Sequence, residues 1–251
     1  MNEAMIGTFY GVGVGPGDPE LLTQKAVRIL GEVDWIFHPY DNPDGNSFAM
    51  RIVAPLGLPA TKFKSIHLSM SRDRSKDLQT YDVAADAIFA ELRTGKSVAW
   101  ITQGDPFFYS TFMYVYEQMR LRYPEVPIEV IPGVTSPSAA SARAGVPVSR
   151  LNDKVAVVPA TYGLDSLPGL LDEFATVFLM KVNRVFDQLL EVLAALPTPV
   201  RAVYLEKVGT AEERIVTDLE TLRGQKLPYF SLVLLRRHQD AAPLANEREA
   251  V

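Results

Sequence analysis

The sequence contains no cysteine, and only three of its 251 residues are histidines. Without thiols the chain cannot form a disulfide framework, a thiolate nucleophile or a cysteine-built zinc site. A histidine-built metal centre is not expected either, because His38, His67 and His238 are the only histidines. These absences exclude thiol-dependent chemistry, and we expect no cysteine-built or histidine-built metal site.

Long apolar runs and a basic excess are also missing. No run reaches the ~18 apolar residues of a membrane span, and the first residues lack the basic segment and apolar core of a secretion signal. We therefore expect a cytoplasmic protein with no membrane partner. Lysine and arginine total 25 against 30 acidic residues, a formal net charge of −5. Because non-specific nucleic-acid binding depends on a positive surface, this balance argues against such a partner, although it allows a local basic pocket.

The first half of the chain alternates short apolar runs with helical patterns, which is typical of an α/β fold with a mainly parallel sheet. The predicted strands are residues 7–14, 34–39, 63–70, 97–103 and 128–133. The predicted helices are residues 19–30, 77–93 and 111–122. Asp18 is the expected N-cap of the first helix, and Gly31 is expected to stop it.

A segment rich in small residues, 135–150, separates this series from a second one. Further strands are predicted at residues 153–160, 175–182, 200–208, 213–220 and 228–237, with one helix whose apolar stripe runs from Val185 to Leu196. Because no long helix separates the last three strands, the second sheet is expected to be mixed. We predict two α/β lobes, 1–134 and 151–238, a connecting helix and loop at 135–150, and a disordered tail at 239–251.

The first strand–turn–helix segment, YGVGVGPGDPELLTQ at residues 10–24, indicates a nucleotide site but fails the phosphate-binding patterns. In the dinucleotide pattern G-x-G-x-x-G, the third glycine is replaced by Pro16 or Asp18, depending on the register. A P-loop would end in Gly-Lys-Ser/Thr, where this chain has Gly-Asp-Pro. The turn therefore fits a ligand without phosphate, such as S-adenosylmethionine (SAM), or a tight connection that binds nothing.

Two more predicted strands end in similar turns. Residues 97–103 lead into GDPFFYST (104–111), and residues 128–133 lead into VTSPSAA (134–140). Ligands of open α/β sheets bind at the carboxyl ends of the strands. Each segment alone is more simply a turn, a core aromatic pair or a helix cap, but together they indicate a small-molecule site.

These motifs resemble, in order and spacing, the tetrapyrrole methyltransferases, a SAM-dependent family that acts on precursors of cobalamin and siroheme. The segments that carry the resemblance are GVGPGDPELLT (13–23), GDPFFYST (104–111), IPGVTSPSAASARAGVP (131–147), VFLMKVNR (177–184), AVYLEKVG (202–209) and PYFSLVLLRR (228–237). Within the family, GDPFFYST, LMKV.R and PYFSLVL look most like the C-20 methyltransferases. These enzymes act on precorrin-2 or on its cobalt complex, cobalt-factor II.

The resemblance implies two α/β lobes with SAM held in the cleft between them, and a homodimer. The SAM contacts that it implies are Pro16, Gln103, Gly104, Asp105, Phe108, Thr135, Ser136, Met180 and Val208. One departure stands out. Relatives that methylate uroporphyrinogen carry an aspartate, proposed as a base, at the end of the second strand. That position falls near Pro39 here, with Asp41 two residues on, so the assignment does not transfer.

Methylation at C-20 displaces a proton, so a general base within hydrogen-bond reach would accelerate the reaction. The candidates are Tyr109, Asp105 and Glu206, and water is a further alternative. Tyr109 is expected on the substrate side and Asp105 chiefly at the cofactor, although the Tyr109 ring could simply cap the core and Glu206 could belong to a surface ion pair. Cationic side chains should meet the acid arms of the macrocycle. The candidates are Arg51, Arg72, Lys181 and Arg184, and Lys64 and Arg74 are further candidates.

Three interpretations stay open beside this one. The segment 69–77 mixes charges and could be either a solvated loop or a lid over the substrate. The enzyme could act on another precorrin, on RNA or on a translation factor. The chain could also bind SAM or a nucleotide without catalysing a reaction.

Overall fold

The computed structural model describes residues 5–40, 47–68, 74–162 and 164–237, with the backbone alone at 74–78 and 162. By its internal contacts the chain divides into two compact units, Met1–Ser136 and Pro137–Val251. Arg72, most of the predicted lid and the predicted tail lie outside the described residues. Within the described part, no helix is both long enough and apolar enough to span a membrane.

The first unit is built on a parallel sheet of five strands in the order β3-β2-β4-β1-β5. The strands are β1 (Phe9–Gly13), β2 (Trp35–Tyr40), β3 (Phe63–His67), β4 (Val98–Thr102) and β5 (Ile128–Ile131). Gly13 pairs with Thr102 of β4, and Val12 pairs with Ile131 of β5. The carboxyl ends of β1, β4 and β5 therefore lie side by side, which places the three Gly/Pro turns at one edge.

Helices cover both faces of this sheet, because alternate strand residues point to opposite sides. The helices are α1 (Gln24–Glu32), α2 (Phe48–Val53), α3 (Arg74–Leu92) and α4 (Phe112–Arg122). Trp100 is fully buried in the cluster formed with α3 and α4, whereas its neighbour Ile101 is fully buried in the cluster formed with α1 and α2. The strand β4 is thus buried at every position.

The first predicted helix, 19–30, is wrong at both ends. Asp18 caps only a 3-10 turn, where its Oδ1 accepts the N–H of Glu20 at 2.9 Å. The α-helix starts after Thr23, whose Oγ1 accepts the N–H of Ala26 at 3.1 Å. It then continues through Gly31, because a glycine on an exposed helix face weakens a helix without ending it. The short helix α2 was not predicted.

The second unit carries a mixed sheet, as predicted, in the order β6-β7-β10-β8-β9. Its elements, with the preceding helix, are α5 (Ser136–Ala144), β6 (Val155–Pro159), α6 (Leu167–Glu173), β7 (Thr176–Met180), α7 (Phe186–Ala194), β8 (Val200–Glu206), β9 (Arg214–Val216) and β10 (Ser231–Arg237). Among the described strands of this sheet, only β6 and β7 pair in parallel. The strand predicted at 213–220 is shorter than expected, since residues 219–222 form a 3-10 helix, and the short helix α6 was not predicted.

Candidate functional site

Four glycines bring the three turns of the first unit into direct backbone contact. Gly15 and Gly104 exchange two hydrogen bonds, with N···O distances of 3.2 and 2.7 Å. A Cβ atom on Gly13 would lie 2.6 Å from the carbonyl oxygen of Gly104, and one on Gly133 would lie 2.1 Å from the same atom. Since real Cβ atoms do not approach so closely, we call Gly13, Gly15, Gly104 and Gly133 the glycine junction.

Two polar side chains between these turns fasten the junction. The Nε2 of Gln103 donates to the carbonyl of Pro16 at 2.9 Å, which joins the second turn to the first. The Oδ2 of Asp105 accepts the N–H of Gly133 at 3.0 Å, which joins the second turn to the third. Its Oδ1 accepts the N–H of Phe107 at 2.9 Å. Both carboxylate oxygens of Asp105 thus bind backbone amides.

Residues 107–109, which follow Asp105, form a half-exposed aromatic segment that we call the aromatic strap. Its base is anchored where the buried hydroxyls of Thr102 and Ser110 share a hydrogen bond of 2.7 Å. Tyr109 has a φ of +54° and is 41% exposed, and its ring makes an edge contact with Phe108 at 5.2 Å. Left-handed backbone in a non-glycine residue is costly and clusters at ligand sites. The N–H of Phe108 donates to the carbonyl of Asp105 at 3.2 Å, so this segment folds back onto the second turn.

In the second unit, predicted residues meet around the start of β10. The N–H of Lys181, after β7, donates to the carbonyl of Ser231 at 3.1 Å. The N–H of Lys207, after β8, donates to the carbonyl of Phe230 at 2.9 Å. Both lysines have left-handed backbone, with φ of 60° and 49°. These bonds bring three predicted residues to one edge of the second sheet. Met180 and Glu206 directly precede the two lysines, and the buried Val208 follows Lys207.

Glu206 is held by two neighbours. The hydroxyl of Tyr204 donates to its Oε2, and Nε of Arg214 lies 3.5 Å from its Oε1. Burial raises the pKa of Tyr204, and the hydrogen bond to Glu206 raises it further, so the tyrosine remains a donor at neutral pH. The assignment of Glu206 as a base stays a prediction.

The predicted substrate cations that the structure describes make different contacts within their own units. Lys64 pairs with Glu91 at 2.6 Å and lies 3.8 Å above the Trp35 ring, which makes it a structural cation. The guanidinium of Arg51 lies 4.7 Å from the Phe48 ring within α2. Lys181 and Arg184, by contrast, sit at the end of β7 beside Met180, so they are the cations at the strand edge of the second unit. Arg72 and the Arg74 side chain lie outside what the structure describes.

His38 entered the sequence analysis only in the argument against a histidine-built metal centre. The structure buries it within β2 with 7% exposure. Among the described residues its Nδ1 has no hydrogen-bond partner. Burial lowers the pKa of His38, although a hydrogen bond with the Pro39 backbone opposes the shift. The ring is therefore neutral at pH 7. Its place in the carboxyl half of a parallel strand was the available signal.

The residues around the junction fit SAM better than a phosphate ligand. Residues 13–17, 103–105 and 132–135 contain no lysine or arginine, and they include the Asp105 carboxylate. A Cβ on Gly104 would meet no atom within 4 Å, so space is open beside that glycine. An adenosine with a positively charged sulfonium suits such a carboxylate-lined backbone cradle, whereas a pyrophosphate would be repelled.

Comparison with known proteins agrees with this chemistry. The model of the tetrapyrrole (corrin/porphyrin) methylases matches residues 8–223. A precorrin-2 C(20)-methyltransferase from Sinorhizobium sp. is 33% identical over 96% of this chain and 99% of its own length. A cobalt-precorrin-2 C(20)-methyltransferase from Salmonella typhimurium is 31% identical over 95% of this chain and 100% of its own.

Among solved structures, the fold is similar to a uroporphyrin-III C-methyltransferase from Thermus thermophilus in complex with S-adenosylhomocysteine (SAH). The TM-score is 0.63 at 24% identity, and the match covers 92% of this chain and 97% of the other. At this identity the likeness shows a shared fold.

Proposed function

We propose, because the chain belongs to the tetrapyrrole (corrin/porphyrin) methylase family, that it transfers a methyl group from SAM to C-20 of precorrin-2 or of cobalt-factor II. The observation that carries this proposal is end-to-end similarity to relatives named for that reaction, at 33% and 31% identity. One is named for the metal-free substrate and the other for the cobalt complex. Since the two identities are nearly equal, both substrates enter the test.

The residues of the chain would act mainly by alignment. SAM, when bound, supplies a methyl group that its positive sulfur has already activated. Holding two reactants in the right geometry can lower a barrier by ~7–11 kcal/mol. We assign the binding of the adenosine moiety to the backbone of the glycine junction, which Gln103 and Asp105 keep rigid. The remaining proposed SAM contacts are Pro16, Phe108, Thr135, Ser136, Met180 and Val208.

The contacts of the three candidate catalytic residues divide their roles. Asp105 binds two backbone amides, so we assign it the positioning of the turns. Tyr109, half-exposed and held in a left-handed conformation, is assigned to the substrate side. Glu206 is then the carboxylate that can take up the proton leaving C-20, directly or through water. Lys181 and Arg184 are assigned to the acid arms of the macrocycle.

Turnover tests this proposal directly. The purified protein, incubated with SAM and either precorrin-2 or cobalt-factor II, should add one methyl group at C-20, as read by mass spectrometry and NMR. Calorimetry should give a low-micromolar dissociation constant for SAH, which corresponds to a binding free energy of about −8 kcal/mol. NADH should give no saturable signal. SAH binding without turnover of either substrate would show that the protein binds the cofactor but does not catalyse this reaction. Methylation of another precorrin or of RNA would identify a different family activity.

Asp105→Ala should weaken SAH binding by about tenfold, because the hydrogen bonds that join the second turn to the third and to the aromatic strap are lost. The matched control is Asp34→Ala. Asp34 also accepts backbone and hydroxyl hydrogen bonds, from Ser97 at 2.8 and 3.0 Å, but it precedes β2 at the amino edge of the same sheet. Calorimetry should show unchanged SAH affinity in the control. Equal losses in both variants would mean that Asp105 serves general stability alone.

We also propose that the enzyme is a cytoplasmic homodimer, as the sequence and the family resemblance lead us to expect. Sedimentation velocity on the purified protein distinguishes a dimer from a monomer.

A further inference from the structure

The loop between β8 and β9, residues 207–213, is folded around the carboxylate of Glu213. The Oε2 of Glu213 accepts the N–H of Gly209 at 2.8 Å. Its Oε1 lies 2.8 Å from Nε and 2.6 Å from Nη2 of Arg143, so the guanidinium binds through two nitrogens. The side chain of Glu213 is only 9% exposed. A nearly buried carboxylate thus organises a surface loop.

The rest of the loop adopts one compact geometry around this group. The carbonyl of Lys207 accepts both the N–H and the hydroxyl of Thr210, at 3.1 and 2.8 Å. The N–H of Glu213 donates in turn to the carbonyl of Thr210 at 3.1 Å. Lys207 and Gly209 both have left-handed backbone, with φ of 49° and 80°. Val208, between them, is 6% exposed, and it is one of the proposed SAM contacts.

The electrostatics favour a charged Glu213. Burial opposes ionisation, but the hydrogen bonds from Arg143 and from the Gly209 amide outweigh it and lower the pKa of Glu213. The carboxylate is therefore ionised at neutral pH, and charge-assisted hydrogen bonds are stronger than neutral ones.

Arg143 connects this loop to a second part of the proposed cofactor site. It lies in the last turn of α5, the helix that begins at Ser136, directly after Thr135. The Arg143–Glu213 pair thus joins the helix that follows the third Gly/Pro turn to the loop that carries Val208. The two partners are 70 positions apart in the sequence.

We propose that Arg143 and Glu213 form a positioning pair that holds the Val208 loop in its SAM-binding conformation and so sets cofactor affinity without touching the cofactor. The inference rests on the proposed function and adds two residues to it. Without the pair the loop would sample other conformations, and SAM binding would have to order it, which lowers the apparent affinity by the fraction of competent molecules.

Calorimetric titration with SAH tests the pair. Glu213→Ala and Arg143→Met should each weaken SAH binding by about tenfold, as expected if about one molecule in ten keeps the competent loop. Glu213→Gln should weaken SAH binding less than Glu213→Ala, because its amide oxygen can still accept the Gly209 N–H, although its NH2 group cannot pair with Arg143. Steady-state kinetics should show a raised KM for SAM, with kcat and the KM for the tetrapyrrole unchanged. Glu173→Ala, which breaks an exposed pair with Lys154 in the same unit, is the control and should bind SAH normally.

The outcomes separate the two proposals. If the wild type does not bind SAH, the proposed function is overturned, and this inference falls with it. If the wild type binds SAH and both variants bind equally well, while their thermal midpoints fall, the pair is purely structural and the inference alone is overturned. Should Glu213→Ala fail to fold, Arg143→Met carries the test, because Arg143 is 60% exposed and its loss leaves no large cavity.

Discussion

Gly133→Ala is expected to abolish SAH binding and to lower the free energy of unfolding by about 2–4 kcal/mol. The added Cβ would lie 2.1 Å from the carbonyl oxygen of Gly104 and 3.0 Å from two backbone atoms of Gly13. None of these atoms belongs to a flexible side chain. The Gly104 peptide is moreover held by its hydrogen bonds with Gly15. Relief of the overlap would therefore separate the turns that the glycine junction joins.

Chemical unfolding and SAH calorimetry measure this effect, and Gly31→Ala is the control. Gly31 lies in α1, where an added Cβ would meet no atom within 4 Å. Alanine there should leave SAH binding unchanged and raise stability by up to ~1 kcal/mol, because alanine is the better helix former. If Gly133→Ala bound SAH with wild-type affinity, the glycine junction could not be part of the cofactor site.

Sheet architecture was accessible from the sequence because it follows from local patterns. The apolar runs predicted the ten strands at their places along the chain, and the spacing of the last three correctly predicted a mixed second sheet. Element ends were less accessible. The helix predicted from Pro19 begins instead after Thr23, because the threonine hydroxyl offers a cap that competes with Asp18. Local competition of this kind depends on a few tenths of a kcal/mol per residue, which periodicity does not reveal.

The candidate site was predictable where it depends on strand ends and unpredictable where it depends on distant partners. Three Gly/Pro turns after parallel strands must lie near one edge, and they do. The hydrogen bond between Asp105 and the Gly133 amide joins residues 28 positions apart, and the sequence of neither segment indicates that the other is its partner. The same holds for Arg143 and Glu213, since a surface-type ion pair leaves no periodic pattern.

Arg236→Met is expected to destabilise the second unit by about 3–5 kcal/mol, the cost of breaking a buried charge pair from one side. Nη2 of Arg236 donates to Oδ2 of Asp153 at 2.8 Å, with side-chain exposures of 11% and 10%. Its Nη1 donates to the hydroxyl of Thr176 at 2.8 Å and to the carbonyls of Pro147 and Val148 at 3.0 and 3.2 Å. One guanidinium on β10 thus fastens the segment that leads into β6.

The double variant Arg236→Met with Asp153→Leu distinguishes the cause of that loss. If the cost arises from leaving the Asp153 carboxylate buried and unpaired, the second substitution should recover part of the stability in urea unfolding, although the two carbonyls remain without their donor. Arg223→Met breaks ion pairs of similar geometry with Glu191 and Glu220, but on an exposed surface, where solvent screens both charges. Its unfolding midpoint should not move. If Arg223→Met and Arg236→Met lost equal stability, burial could not be the reason why the Arg236 pair stabilises the protein.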